Sequence, residues 1–133
     1  MSNANVSLVQ SLYAAFGRGE IAPIIAALAP DVDWTVTGRR KDYPLLGNWK
    51  GPAGVQDFFK SVAEMQDFAA FAPREFCGVD DKVFVLGHYE AKIRKTGRFA
   101  SSDWVHVFTI RNGKVTVFRE FTDTAQFAEA YRG

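Results

Sequence analysis

The stretch WVHVFTIRNGKVTVFREF, residues 104–121, decides how this chain is read. Two runs rich in β-branched and aromatic residues flank Asn112-Gly113, a combination that predicts an antiparallel hairpin. The hairpin also carries His106 and Glu120, an acid–base pair fourteen residues apart. Whether the two meet depends on register, because a slip of one residue sends every side chain to the other face. A two-residue turn pairs Arg111 with Lys114, sets His106 opposite Arg119 and puts Glu120 on the far side. A three-residue loop with Gly113 in a bulge pairs Ile110 with Lys114 and sets His106 opposite Phe118 and Trp104 opposite Glu120. In that second register His106 and Glu120 share a face.

The same choice recurs upstream, between KVFVLGHYEAKIRK and GRFASSDWVHVFTIR. A two-residue turn there would hold Thr96 at positive φ, which is costly for a β-branched residue. A bulged Lys95-Thr96-Gly97 loop is expected instead, pairing Arg94 with Arg98 and His88 with Trp104. With both hairpins bulged, His88, Trp104, His106, Phe118 and Glu120 line one surface. The other surface is expected to carry Val83, Val85, Tyr89, Ile93, Phe99, Val105, Val107, Val115, Val117 and Phe121. Both faces are then too apolar for a sheet wet on one side. Helices are expected over one, and a second copy of the chain over the other, giving a homodimer through the sheet.

Upstream of the strands the period changes. Val6, Val9, Leu12, Tyr13 and Phe16 recur three and four apart, predicting a helix capped by Ser2, Asn3 or Asn5 and ended by Gly17 and Gly19. A short second helix holds Ile21, Ile24, Ile25 and Leu28, with Pro23 near its start and Pro30 at its close. DVDWTVTG, residues 31–38, reads as a strand. Residues 39–52 are rich in Gly and Pro and read as a long loop, of the kind that is often functional. A helix over residues 52–66 follows, with Val55, Phe58, Phe59, Val62 and Met65 on its buried side, then REFCGVDD as another strand. TAQFAEAYRG ends the chain as a helix, with Asp123 as its N-cap or a site residue. Helices, one strand, a helix and a meander of strands make a single α+β domain over residues 1–133, with a strongly curved antiparallel or mixed sheet and helices gathered on one face.

Composition narrows the function. Of 133 residues, 16 are Lys or Arg and 15 Asp or Glu, a net charge of +1 that argues against a nucleic-acid partner. The single cysteine, Cys77, excludes an intrachain disulfide and a cysteine zinc cluster, and reads as a small core residue. The apolar run IAPIIAALAP, residues 21–30, is about half the ~20 residues of a membrane span. MSNANVSLVQ lacks the basic start and apolar core of a signal peptide. No membrane association and a cytoplasmic location are expected.

Three segments carry a family resemblance: LYAAFGRGEIAPIIAALAPDVDWTV, WKGPAGVQDFF and DWVHVFTIRNGKVTVFREFTDT. Together they resemble the SnoaL-like, ketosteroid isomerase-like branch of the NTF2-like superfamily, which includes polyketide cyclases and limonene epoxide hydrolase. The resemblance implies a cone-shaped α+β barrel with helices on the concave face of its sheet, a dimer, and an apolar cavity at the wide end. Polyketide cyclases of the family carry a histidine and an aspartate fourteen residues apart on this hairpin; His106 and Glu120 have that separation, with Glu for Asp. The ketosteroid isomerase base falls among Thr35, Val36 and Thr37, its helix-one tyrosine near Leu12 with Tyr13 one residue off, and its second oxyanion acid near His106. The isomerase set is therefore missing, and the Asp-Arg-Asp arrangement of the epoxide hydrolases is not matched.

The chemistry expected is acid–base catalysis. A carboxylate in an apolar cavity, Glu120, can take a proton from carbon beside a carbonyl, and His106 can hydrogen-bond the developing enolate oxygen. Tyr13, Trp34, Trp49, His88, Trp104 and Phe118 are the expected substrate-binding walls, with Trp49 as a lid. This predicts a cofactor-free isomerase, cyclase or dehydratase acting on a small hydrophobic carbonyl or ring compound. Competing readings make Glu120 an ion-pair partner of Arg119, Arg94 or His106, and His106 and His88 structural. A metal triad of both histidines with Glu120 lacks tight ligand spacing, and none is expected. The alternative from another class is a non-catalytic small-molecule-binding or dimeric scaffold protein.

Overall fold

The computed structural model describes residues 2–133, with side chains from Ala4 onward. Helix α1 (Ser2–Gly17) and the short α2 (Ala22–Ala26) lead into β1 (Leu28–Val36) and β2 (Gly47–Lys50). Helix α3 (Gly51–Met65) is followed by β3 (Gln66–Val79), β4 (Lys82–Ile93), β5 (Phe99–Arg111), β6 (Lys114–Phe121) and α4 (Thr124–Arg132). The strands form one open, curved six-stranded sheet in the order β2-β1-β6-β5-β4-β3. Every pairing is antiparallel except β1 with β6, so the sheet is mixed. Helix α1 packs over β3 and β4, α3 over β1 and β2, and α4 against β5.

Strand β4 shows how the sequence selects the faces. Val83, Val85, Tyr89, Ala91 and Ile93 are buried beneath the helices, whereas Leu86, Glu90 and Lys92 between them are exposed. That alternation is the period-two signature of a sheet covered on one side. Several expectations fail against it. Val83, Val85, Tyr89, Ile93 and Val115 belong to the helix-covered face; Phe99, Val105, Val107, Val117 and Phe121 keep the outer one.

The structure takes one of the two turns open at Asn112-Gly113 and corrects the loop expected upstream. Asn112 and Gly113 each have positive φ, 52° and 73°, and they form the two-residue turn that pairs Arg111 with Lys114. The pairing then shifts inside the hairpin: Ile110 faces Val115, but Thr109 faces Val117. Thr116 is the extra residue of a bulge, its hydroxyl donating to the Thr109 carbonyl at 3.2 Å. The bulge undoes the consequence expected of the tight turn, and His106 lies directly opposite Glu120. In the β4–β5 hairpin the loop has four residues rather than three. Arg94–Gly97 is closed by the Ile93 amide on the Arg98 carbonyl, with Gly97 at φ 76°. His88 accordingly faces Asp103, not Trp104, and points away from the helices.

Other expectations shift for local reasons. Asn5 lies inside α1, and the side chains of Ser2 and Asn3 fall outside those described. Pro30 and Leu28 sit in β1, whose pairing with β6 is irregular between Leu28 and Asp33. Cys77 is exposed on β3 and is no core residue. Residues 39–52 contain β2 and fold back on themselves. The Arg40 guanidinium binds the Leu46 and Asn48 carbonyls at 2.9 and 2.7 Å, and Tyr43, Leu45 and Leu46 are buried. Asp123 caps α4 by accepting from the Gln126 amide at 3.3 Å.

Candidate functional site

Between the helices and the sheet lies a cavity of about 100 Å³ with an almost wholly apolar wall. Helix α1 contributes Leu12, Tyr13 and Phe16, α3 contributes Phe58, Phe59 and Val62, and the folded-back segment contributes Tyr43, Leu45 and Leu46. The sheet supplies Trp34, Phe68, Phe71, Phe108 and Phe118. Trp34 stacks on Phe118 with ring centres 3.9 Å apart, which ties β1 to β6 at the cavity wall.

One polar chain crosses this apolar space. His106 Nε2 meets Glu120 Oε1 at 2.7 Å, and His106 Nδ1 meets the Tyr13 hydroxyl at 2.5 Å. The Tyr89 hydroxyl lies 2.9 Å from Glu120 Oε2 and 2.7 Å from Thr122 Oγ1. With its single proton donated to Glu120, Tyr89 is in turn an acceptor for the Thr122 hydroxyl. The order is Tyr13–His106–Glu120–Tyr89–Thr122, and all five residues line the cavity. The side chains of His106 and Glu120 are 6% and 14% exposed, so the pair is largely withdrawn from water.

Burial, and secondly the charge of Glu120, push the Tyr13 hydroxyl well above the ordinary tyrosine value. The same two causes in the same order raise Tyr89. Both phenols therefore remain neutral O–H groups across the physiological range, able to donate to oxygen or nitrogen. The Trp104 ring lies flat on the His106 imidazole, centres 3.8 Å apart and planes within 17°, and fixes its orientation. Gly87 leaves room for that indole: a Cβ there would come within 2.2 Å of Trp104 Cζ2.

The structure divides the expected site residues. His106, Glu120, Tyr13, Trp34 and Phe118 line one cavity. Trp104 stands behind His106 and supports it without lining the cavity wall. Trp49 is stapled by its indole N–H to the Leu45 carbonyl at 3.2 Å, packs on Phe58 and carries the Arg40 guanidinium on its ring. It is a structural brace of β2, not a cavity lid. His88 is on the outer face, with Nδ1 2.9 Å from Asp103 and Nε2 3.3 Å from the Ser101 hydroxyl. It cannot join His106 and Glu120 in a metal triad. Among the described residues no group of three or more His, Cys, Asp or Glu is placed to hold a metal ion.

The sequence reading missed Tyr89, Thr122, Tyr43 and Gln66 as cavity residues. The alternation of β4, read alone, would have placed Tyr89 with Val83, Val85 and Ile93 on the buried face. Tyr43 carried no periodic signal, because its position depends on how residues 39–52 fold back.

This fold and cavity define a family, and the comparison with known proteins agrees. Residues 9–118 match the model of the SnoaL-like domain, and the chain belongs to that family, within the NTF2-like proteins. An NTF2-like protein from Burkholderia xenovorans is 32% identical, with a TM-score of 0.89 over 98% of each chain. TerC, crystallized with polyporic acid, is 32% identical with a TM-score of 0.85 over 98% of this chain and 99% of that one. An uncharacterized protein of Mycobacterium tuberculosis is 25% identical over 119 residues, covering 90% of this chain and 88% of its own. No helix among the described residues is long and apolar enough to cross a membrane.

Proposed function

We propose that the protein is a cofactor-free acid–base enzyme, an isomerase, cyclase or dehydratase acting on a small hydrophobic carbonyl or ring compound. The observation that carries this reading is the Tyr13–His106–Glu120–Tyr89 chain in an otherwise apolar cavity. Both imidazole nitrogens are occupied, so His106 links two groups rather than touching the substrate itself. Glu120 is the base: each carboxylate oxygen accepts one hydrogen bond and keeps a lone pair for a proton from carbon. Tyr13 is the donor to the substrate oxygen. When the imidazole carries both protons, Nε2–H donates to Glu120 and Nδ1–H to Tyr13, which frees the phenolic proton for the cavity. As Glu120 takes the proton, the C–H electron pair moves into the enolate, and Tyr13 meets the charge that develops on oxygen. Trp34 and Phe118 hold the ring of the substrate. That TerC, 32% identical to this chain, was co-crystallized with polyporic acid supports a small-molecule substrate.

The test is deuterium exchange at the carbon beside the carbonyl of 1-tetralone in D2O, followed by proton NMR. The protein should accelerate the exchange, and Glu120→Gln should reduce it by roughly 10²–10⁴-fold while still binding the ketone. Exchange at the wild-type rate in the variant, or no acceleration by the wild type across a panel of apolar ketones, would remove the enzyme reading. The internal satisfaction of both His106 nitrogens is what favours the alternative, a cavity that binds a ligand unchanged. The same experiment decides between them.

The outer face supports a homodimer through the sheet. Leu86, Phe99 and Phe121 are 41%, 59% and 47% exposed there, beside half-buried Val105, Val107 and Val117. Sedimentation should show a dimer that Phe121→Asp weakens; a wild-type monomer at tens of micromolar would contradict it.

A further inference from the structure

A second polar station stands in the cavity outside the chain just described. Gln66, the first residue of β3, is 7% exposed and lines the cavity. Its Oε1 accepts the Tyr43 hydroxyl at 2.6 Å, and among the described residues its Nε2 has no partner. Turning the amide over exchanges the two ends but still leaves one of them unsatisfied. An N–H on the cavity wall that no protein acceptor takes is open to a ligand oxygen. Among the described residues the Tyr43 hydroxyl has no other acceptor, so its proton goes to Oε1 and the amide is held with Nε2 free. One aromatic side chain joins the two stations: the Phe127 ring packs on Tyr43, which holds Gln66, and on Tyr89, which holds Glu120, with ring centres 5.5 Å apart in both pairs.

We propose that Gln66 Nε2–H donates to a second oxygen of the substrate, so that the cavity selects ring compounds bearing two oxygen functions over those bearing one. This rests on the acid–base reading, in which the reacting carbonyl sits at Glu120 and Tyr13. Gln66 then sets which way round the ring lies, as a specificity-determining residue rather than a catalytic one. Its preference is for an acceptor: a ketone, ether or phenolic oxygen.

The test compares 1-tetralone with its 5-, 6- and 7-methoxy isomers, whose added oxygen only accepts. Binding is read by titration calorimetry for the wild type, Gln66→Leu and Gln66→Glu. At least one isomer should bind the wild type roughly fivefold more tightly than 1-tetralone, the size of one net hydrogen bond. That advantage should vanish in Gln66→Leu and, at a pH that ionises the new carboxylate, in Gln66→Glu, while affinity for 1-tetralone changes little. Two variants guard against a fold defect in either one. An advantage that survives in both, or the absence of any isomer that beats 1-tetralone in the wild type, overturns the proposal. Deuterium exchange at the carbon beside the carbonyl of 1-tetralone, compared between the wild type and Glu120→Gln, is the separate readout of Glu120. Failure of the exchange thus sinks the acid–base reading, and failure of the methoxy preference sinks the role of Gln66.

Discussion

Two histidine–carboxylate pairs stand on opposite faces of the same sheet, and their geometry is nearly the same. His106 meets Glu120 at 2.7 Å on the inner face; His88 meets Asp103 at 2.9 Å on the outer. Their surroundings differ completely. The Glu120 side chain is 14% exposed beneath an aromatic wall, and the Asp103 side chain is 84% exposed to solvent. Water screens the outer pair, which can contribute little to stability. The inner pair is held by two phenols and a stacked indole against an apolar cavity. The lesson is that a histidine beside a carboxylate says little by itself; the burial and the neighbours make it a candidate for chemistry.

Several changes would break or sharpen this contrast. The largest effect is expected on activity, where Glu120→Gln should cost roughly 10²–10⁴-fold in exchange rate and Asp103→Asn should leave it within about twofold. Next comes stability. His106→Ala removes the partner of a largely buried carboxylate and should cost ~2–4 kcal/mol in urea unfolding, against less than ~0.5 kcal/mol for Asp103→Ala. Gly87→Ala should cost ~1–3 kcal/mol, because the new methyl drives Trp104 off the imidazole, and near-UV circular dichroism should register the moved indole.

Smaller effects separate the faces by pH. Tyr13 and Tyr89 ionise in the folded protein only well above their ordinary value of 10.0, whereas the unfolded chain ionises near it. Their contribution is present below about pH 10 and is lost as pH climbs beyond it. Asp33 is held below 3.8 chiefly by its hydrogen bond from Arg119, and Asp123 chiefly by that from Gln126. Those contributions are present above about pH 4 and fade as pH falls through the lowered values. Thermal melts across pH should therefore show the alkaline loss weakened in Tyr89→Phe and the acid loss weakened in Asp33→Asn.

Much of the fold was legible in residue types. The helix of Val9, Leu12 and Phe16, the helix of Val55 and Phe58, the strands and the Asn112-Gly113 turn all follow from period and turn chemistry. Register was less legible. The Thr116 bulge leaves no trace that residue type alone reveals, since Thr is an ordinary strand residue; it nevertheless decides that His106 faces Glu120. His88 was misplaced for the same reason, by one residue of loop length. In residues 39–52 Tyr43 was missed and Trp49 misassigned as a lid, because their positions depend on tertiary contacts, such as those of Arg40 with Leu46 and Asn48. Tyr89 was hidden by the same loop error as His88, and Gln66 by being read as the end of the helix over residues 52–66 when it opens β3.

The most direct test of the central claim is the position of a bound ketone in a crystal of Glu120→Gln soaked with 1-tetralone. The account predicts the carbonyl oxygen about 3 Å from the Tyr13 hydroxyl, the adjacent CH2 turned toward position 120, and the ring against Trp34 and Phe118. A ketone lying with its oxygen away from Tyr13, or binding only on the outer face, would contradict it.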